Sequence, residues 1–242
     1  MSEFVHSTGI ANIALKLKTA QHFTGNVLDD LDIDPYTENW DRFIESWDDL
    51  EDDKYMADGG AYRSRRYSEF KIDPQSDSFV SLPQMPFKQS LDVNYLNGGI
   101  DRHYLSIKPE LVTNPAFRRV LLGCAKALSL INSHSLWRVQ VFQNRIWARA
   151  AEEGNPTPEG VHRDGVDYVL TLLGSRYLVT GGESSTYLSD RKTKVFSHTL
   201  EQSGEFIFLD DVRMSHGVSP VICSQREGTG YRDVLVAMYS KL

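Results

Sequence analysis

The second half of the chain is a succession of short apolar segments separated by turn residues, and this pattern restricts the fold more than any other sequence feature. Two longer candidate strands precede it, at 61–72 and 137–147, with a shorter one at 103–107. Short strands with turns at this spacing are typical of all-β, double-sheet cores. The later strands are predicted at 166–174, 177–180, 183–188, 193–199, 204–209, 216–222 and 231–239.

Helical patterns occur only in the first half of the sequence. Apolar residues recur near helical spacing over 9–20. Asp34-Pro35 has the form of an N-cap followed by proline at the first helical position. A third helix is predicted from Asn114-Pro115 to about Ile131. The helix after Asp34 is predicted to bury Trp40, Phe43, Ile44 and Trp47.

These elements predict a mainly-β fold, a distorted double-stranded β-helix of the jelly-roll or cupin-like kind, with N-terminal and mid-chain α-helices packed on the outside. A protein of 242 residues that is 40% hydrophobic is large enough for one domain. We therefore expect a single domain over 1–242, in which 1–60 form a helical buttress. The core would span 61–242, with the inserted helix at about 114–131.

Charge and cysteine content exclude several classes of function. The net charge is −7 and no basic patch stands out, so nucleic acid is not an expected partner. Cys124 and Cys223 do not form a disulfide framework, which fits a reducing cytoplasm. The first residues do not resemble a secretion signal, and no apolar run is long enough to span a membrane. The oligomeric state stays open, with a homodimer among the possibilities.

His162 and Asp164 lie two residues apart at the start of a predicted strand. Residues i and i+2 of a strand point to the same side, so both side chains could bind one ion. His216, which comes just after a later strand and is followed by Gly217, is the candidate third ligand. Two histidines and one carboxylate suit non-haem Fe(II) with open coordination positions. Taken alone, His-x-Asp also fits a surface turn, and His216 also fits a hydrogen-bonded loop residue.

Arg232 begins a strand whose other residues are mainly apolar. It shares a face with Val234, Val236 and Met238. A guanidinium on an apolar face needs an anion, because a buried unpaired charge is very unfavourable. A carboxylate bound by both arms of the guanidinium is the natural partner. That carboxylate could belong to the protein itself or to a ligand.

Together these residues resemble the Fe(II)/2-oxoglutarate dioxygenases, and more narrowly the bacterial L-isoleucine 4-hydroxylase family of free-amino-acid hydroxylases. The resemblance covers roughly residues 55 to 242. It is carried by His162-x-Asp164, Gly181-Gly182-Glu183, His216, Arg232-Asp233, Arg63-Ser64-Arg65-Arg66-Tyr67-Ser68, Asn97-Gly98-Gly99-Ile100-Asp101-Arg102 and Phe142-Gln143-Asn144-Arg145. Phe142 stands where the family has histidine, so a polar role at that position is not carried over.

The resemblance implies an enzyme that uses Fe(II), 2-oxoglutarate and O2 to hydroxylate an unactivated C–H bond in the side chain of a free, aliphatic L-amino acid, with release of succinate and CO2. Iron would be bound by His162, Asp164 and His216, and no further catalytic residue is required. The distal carboxylate of 2-oxoglutarate would meet Arg232. Gln143 is a second candidate for cofactor binding, and Arg63, Arg65 and Arg145 are candidates for substrate binding.

Three other interpretations stay open at this stage. The same chemistry could act on a carrier-tethered amino acid or a peptide, which would need an open groove rather than a closed pocket. A jelly roll could also bind metal as a sensor without turnover. Finally, the spacing of the metal-binding residues could be a coincidence in a structural β domain.

Overall fold

The computed structural model describes residues 8–96, 98–133 and 136–242. Within these ranges, no helix is both long enough and apolar enough to cross a membrane. Asn97, part of the Gly-Gly motif above, lies outside the described residues. The helices are α1 (Thr8–Ala20), α2 (Val27–Leu31), α3 (Glu38–Glu45), α4 (Pro109–Val112) and α5 (Pro115–Ser129), with a 3-10 segment at Ser46–Asp49.

The strands form one large antiparallel sheet and two small ones. The strands are β1 (His22–Asn26), β2 (Glu51–Asp52), β3 (Arg63–Asp73), β4 (Ser78–Ser81), β5 (Trp137–Arg149), β6 (Tyr168–Tyr177), β7 (Val179–Gly181), β8 (Glu183–Tyr187), β9 (Lys194–Thr199), β10 (Glu205–Asp210), β11 (Ser215–Val218), β12 (Val221–Cys223) and β13 (Thr229–Lys241). The large sheet runs β1-β10-β6-β13-β5-β3-β2, with β4 beside β3, and the small sheets are β11-β8-β9 and β12-β7. The predicted mainly-β jelly roll with external helices is therefore confirmed.

The two faces of the large sheet have different neighbours. On β5, Val139 and Val141 belong to the main core with Phe117 of α5. The alternate residue Phe142 packs in a separate cluster with Tyr67 and Met238. Since successive side chains of a strand point to opposite faces, one face of the sheet packs on the helices and the other faces the inside of the roll.

The predicted start of the second helix was wrong. Helix α3 begins at Glu38, and the hydroxyl of Thr37 accepts a hydrogen bond from the N–H of Trp40 at 3.4 Å. The carboxylate of Asp34 instead accepts from the N–H of Tyr36 at 2.9 Å. Aspartate forms such local turns as readily as it caps helices, so Asp34 closes a turn just before the helix.

Several strand assignments also differ from the prediction. Strands β2 and β4 were not predicted, and the predicted strand 216–222 is divided between β11 and β12. Strand β1 was not predicted, because its sequence His-Phe-Thr-Gly-Asn shows no apolar alternation; pairing with β10 at the sheet edge makes it a strand. Residues 103–107 form no strand. The backbone there is held by single contacts, such as the N–H of Tyr67 donating to the carbonyl of Leu105 at 3.0 Å.

Candidate metal site and anion-binding cavity

His162 and His216 are brought together by backbone pairing. The N–H of His162 donates to the carbonyl of His216 at 2.9 Å, and the N–H of His216 donates to the carbonyl of His162 at 2.8 Å. This reciprocal exchange is the hydrogen-bonded pair of an antiparallel ladder. It places the two ring centroids 4.6 Å apart. Two histidines distant in sequence thus meet because an isolated β-bridge joins the segment of His162, which lies outside the named strands, to β11.

Asp164 completes the cluster. Its Oδ1 lies 3.6 Å from Nε2 of His162, and its Oδ2 lies 3.4 Å from Nε2 of His216. One ligand atom from each of the three residues lies within 4.8 Å of the others. Nδ1 of His162 lies 2.9 Å from the carbonyl of Gly160, a contact that directs Nε2 towards the aspartate. The donor set is the two-histidine, one-carboxylate arrangement that suits Fe(II).

The pKa values of the two histidines in this cluster are shifted in opposite directions. Burial lowers the pKa of His162, but the carboxylate of Asp164 raises it more, to about 9. Burial and the charge of His162 lower the pKa of His216 to about 4. The carboxylate of Asp164 therefore favours a proton on His162, whereas burial disfavours one on His216. A divalent cation competes with that proton for the ligand atoms, so metal binding is expected to weaken as pH falls.

Asp211 lies behind the metal-binding residues and is fully buried. Its carboxylate accepts hydrogen bonds from the backbone N–H groups of Asp164 at 3.1 Å, Gly165 at 2.8 Å and Val166 at 3.2 Å. Burial and the nearby Asp164 raise its pKa, and the three N–H groups oppose that shift. Asp211 therefore closes the turn that carries Asp164.

Arg232 is 1% exposed and lines the same cavity. Among the described residues, its Nε and Nη2 have no hydrogen-bond partner. Burial and the nearby Arg176 lower its pKa to about 9. Buried guanidinium donors without a partner are unfavourable, and a carboxylate from a bound ligand would satisfy both at once.

Gly182 allows Arg232 to occupy this position. Both Gly181 and Gly182 have positive φ, at 72° and 71°. A Cβ atom at position 182 would lie 3.0 Å from Cδ of Arg232. Glycine is therefore favoured in this motif for two physical reasons. The backbone of both residues is left-handed, and Arg232 packs closely against Gly182.

Arg63 and Arg65 line the cavity together, as the alternation of β3 predicts. Asp53 lies beside them, 2.9 Å from Nε of Arg63 and 3.1 Å from Nε of Arg65. Only the contact with Arg63 has hydrogen-bond alignment, so Nε of Arg65 has no hydrogen-bond partner among the described residues. The guanidinium of Arg65 stacks 5.0 Å from the ring centre of Phe142.

Gln143 and Arg145 do not line the cavity, which corrects the prediction that they contact cofactor or substrate. The side chain of Gln143 donates to the hydroxyl of Ser46 at 2.8 Å. Arg145 donates to both carboxylate oxygens of Asp233, at 2.7 and 2.8 Å, and to Asp48 at 2.9 Å. Both residues share the face of β5 that packs on the helices. The cavity is lined by the alternate residues Phe142, Asn144 and Ile146.

Several residues in or beside the cavity carried no assigned role in the sequence. Arg102 belongs to the Gly-Gly motif, and its Nη2 donates to Gln89 at 2.9 Å. Glu159 lies in the polar loop before His162, where no spacing distinguishes it from other acidic residues. Asp211 lies behind the metal-binding residues, outside the cavity lining, and follows the strand predicted at 204–209. The cavity measures about 120 Å³ and is also lined by Phe87, Asn94, Pro156, Thr157, Thr171, Val218, Val234, Val236 and Met238.

Comparisons with known proteins agree with this arrangement. Residues 44–238 match the family described as 2OG-Fe dioxygenase. The protein is 24% identical over 195 residues to L-isoleucine-4-hydroxylase of Bacillus thuringiensis, covering 79% of this chain and 78% of that protein.

Solved structures show the same fold. A bsmA homologue from Methylobium petroleophilum PM1 is 26% identical, with a TM-score of 0.87 over 96% of this chain and 93% of that one. IDO from Bacillus thuringiensis is 16% identical, with a TM-score of 0.79 over 96% and 95%. The dioxygenase TqaL is 18% identical, with a TM-score of 0.74 over 98% and 89%.

Proposed function

Because the chain belongs to the 2OG-Fe dioxygenase family, an oxidoreductase family that uses Fe(II) and 2-oxoglutarate, we propose that it hydroxylates an unactivated C–H bond in the side chain of a free, aliphatic L-amino acid. The similarity to L-isoleucine-4-hydroxylase supports this substrate class, and L-isoleucine is the first candidate. The observation that carries the proposal is the buried guanidinium of Arg232, whose Nε and Nη2 have no hydrogen-bond partner among the described residues, in the same cavity as the three candidate metal ligands.

His162, Asp164 and His216 would hold the iron, since they form the expected donor set around one point. Arg232 would bind the distal carboxylate of 2-oxoglutarate through its two unpartnered nitrogens. When bound, iron and 2-oxoglutarate supply the oxidising chemistry, in which O2 is consumed and succinate and CO2 are released with the alcohol. The protein's own part is to position the substrate C–H bond and to exclude water, and no side-chain base is needed.

Arg63 or Arg65 would bind the α-carboxylate of the amino acid. Both are more than nine-tenths buried and both line the cavity. Asp53 partly neutralises the pair but aligns only with Arg63, which leaves Arg65 with donor capacity. We further propose that the enzyme acts on a small molecule in a reducing cytoplasm, where Fe(II) and 2-oxoglutarate are available, with neither nucleic acid nor a membrane as partner.

The test is succinate release with Fe(II) and 2-oxoglutarate, screened across the twenty L-amino acids, with product mass measured for one added oxygen atom. We expect release to rise with at least one aliphatic amino acid, and Asp164→Ala to abolish it. Release that rises only with carrier-tethered amino acids or peptides would overturn the free-amino-acid proposal.

A further inference from the structure

Glu159 is an acidic residue in the cavity that the candidate metal site does not use. Among the described residues, the only acidic side chains lining the cavity are Glu159 and Asp164. The side chain of Glu159 is 11% exposed, and its Oε1 lies 3.5 Å from Nε2 of His162. Within the described ranges its ion-pair partner is His162, and it forms no ion pair with any of the four arginines that line the same cavity. His162 must be deprotonated to bind a metal ion, and this enclosed carboxylate would then lack a cation.

Two of the arginines that line the cavity, Arg65 and Arg102, each contact an aromatic ring and retain an unpaired Nε among the described residues. The guanidinium of Arg102 stacks 4.7 Å from the ring centre of Phe87, and that of Arg65 stacks on Phe142. Nε of Arg65 and Nε of Arg102 are both buried and without a hydrogen-bond partner among the described residues. The aromatic rings fix the planes of the guanidinium groups, so these donors form a preorganised site for a carboxylate.

We propose that these groups recognise the two charged groups of a free amino acid: Arg65 and Arg102 bind its α-carboxylate, and Glu159 binds its α-ammonium. This inference rests on the proposed function and deepens it. Neither Glu159 nor Arg102 carries out chemistry; both select the substrate and set its position.

The assignment has a direct consequence for substrate class. A carrier-tethered amino acid has no free carboxylate, and an N-acylated residue or an amide lacks one of the two charges. Each of these would leave a buried arginine or a buried carboxylate unpaired, which is unfavourable. The cavity would therefore reject them even though its apolar lining, including Phe142 and Met238, could accept their side chains.

Binding is measured by calorimetry on the anaerobic complex of the full-length protein with Fe(II) and 2-oxoglutarate, so that no turnover is needed. The probes are L-valine, L-leucine and L-isoleucine, each compared with the carboxylic acid that lacks its amino group and with its amide. In the wild-type protein, we expect both analogues of the preferred amino acid to bind about tenfold or more weakly, because each loses one charge-assisted contact.

The variants assign each charge to a residue. We expect Glu159→Gln to weaken binding of the amino acid about tenfold or more while leaving the deamino acid unaffected. Arg102→Gln and Arg65→Gln should weaken the amino acid and the deamino acid alike and spare the amide. Glu153→Gln removes an exposed carboxylate from the same loop and should change none of these affinities.

Two results would overturn the inference. If Glu159→Gln weakens the amino acid and the deamino acid equally, Glu159 does not bind the ammonium. If the same variant weakens Fe(II) binding without any amino acid, Glu159 belongs to the metal site instead. Failure of the proposed function appears differently, because no free amino acid would then raise succinate release by the wild-type protein, whatever the variants do.

Discussion

Oδ1 of Asp211 lies 3.8 Å from Nδ1 of His216, while Nε2 of the same imidazole faces Asp164 at 3.4 Å. Asp211 also accepts the backbone N–H groups of the turn that carries Asp164. Nδ1 of His216 has no hydrogen-bond partner among the described residues, so Asp211 holds the turn of one candidate metal ligand by hydrogen bonds and faces a second at ion-pair distance. Outer residues of this kind set the orientation and basicity of a metal ligand.

Asp211→Asn should lower the affinity for Fe(II) about 10- to 100-fold, because an amide cannot accept all three N–H groups and carries no charge to support the imidazole. Anaerobic Fe(II) titration measures this. Asp210→Asn is the matched control, since Asp210 is the adjacent buried carboxylate and pairs with Arg213. Equal losses in both variants would show that Asp211 acts only through general stability.

Arg232→Leu should raise the concentration of 2-oxoglutarate required for half-maximal succinate release about 10- to 100-fold, because a charge-assisted contact is lost. The Fe(II) requirement should change little. Arg232→Lys keeps the charge but not the planar pair of donors, so it should restore only part of the affinity. A parallel rise in both requirements would argue against a direct contact with 2-oxoglutarate.

Gly182→Ala should weaken 2-oxoglutarate binding as well as stability, because the new Cβ would lie 3.0 Å from Cδ of Arg232. Gly59→Ala is the control: φ is 75° there, and nothing lies within 4 Å of an added Cβ. Both substitutions should lower the free energy of unfolding by about 1–2 kcal/mol through left-handed strain. Only Gly182→Ala should alter the 2-oxoglutarate requirement, and the same change in Gly59→Ala would refute the packing argument.

Arg145→Leu should destabilise the fold by about 3–5 kcal/mol, because it leaves the carboxylate of Asp233 buried without its partner. Urea unfolding measures the loss. The double variant Arg145→Leu/Asp233→Leu removes both charges and should regain part of it. Substrate KM of the folded protein should stay unchanged in Arg145→Leu and rise in Arg65→Leu. A rise in substrate KM for Arg145→Leu but not for Arg65→Leu would show that Arg145, and not Arg65, contributes to substrate binding.

Glu69 should make stability depend on pH. Its carboxylate is 2.6 Å from Nε of Arg138 and accepts the hydroxyl of Tyr67. Burial raises its pKa, but these contacts outweigh burial and lower the pKa below its ordinary value of 4.5. A carboxyl group with a lowered folded pKa stabilises above its unfolded pKa, and that stabilisation is lost as pH falls through the folded pKa.

Glu69→Gln should therefore cost about 1–3 kcal/mol at neutral pH, and the difference from wild type should shrink below about pH 4. Thermal unfolding across pH tests this, with Glu110→Gln, on the exposed side of α4, as control. A difference that is constant with pH would show that Glu69 contributes through packing and not through its charge.

Local sequence patterns were sufficient to predict much of the sheet and several residues of the candidate site. Alternation and turn spacing predict most strands of the large sheet, because a strand buried on one face must alternate. The i, i+2 spacing of His162 and Asp164 places them on one side for the same reason. An arginine among apolar residues, at Arg232, indicates an anion site because a buried charge requires a partner.

Tertiary structure decided the rest. Alternation defines the two faces of β5 but not which face the helices cover, so Gln143 and Arg145 were assigned to the wrong one. His216 meets His162 only because an isolated β-bridge joins two segments that are far apart in the sequence. Glu159, Arg102 and Asp211 come from loops and strand ends whose positions depend on long-range packing. The spacing of residues along a strand determines to which side each side chain points. Which side chains meet at one site depends instead on contacts between residues far apart in the sequence.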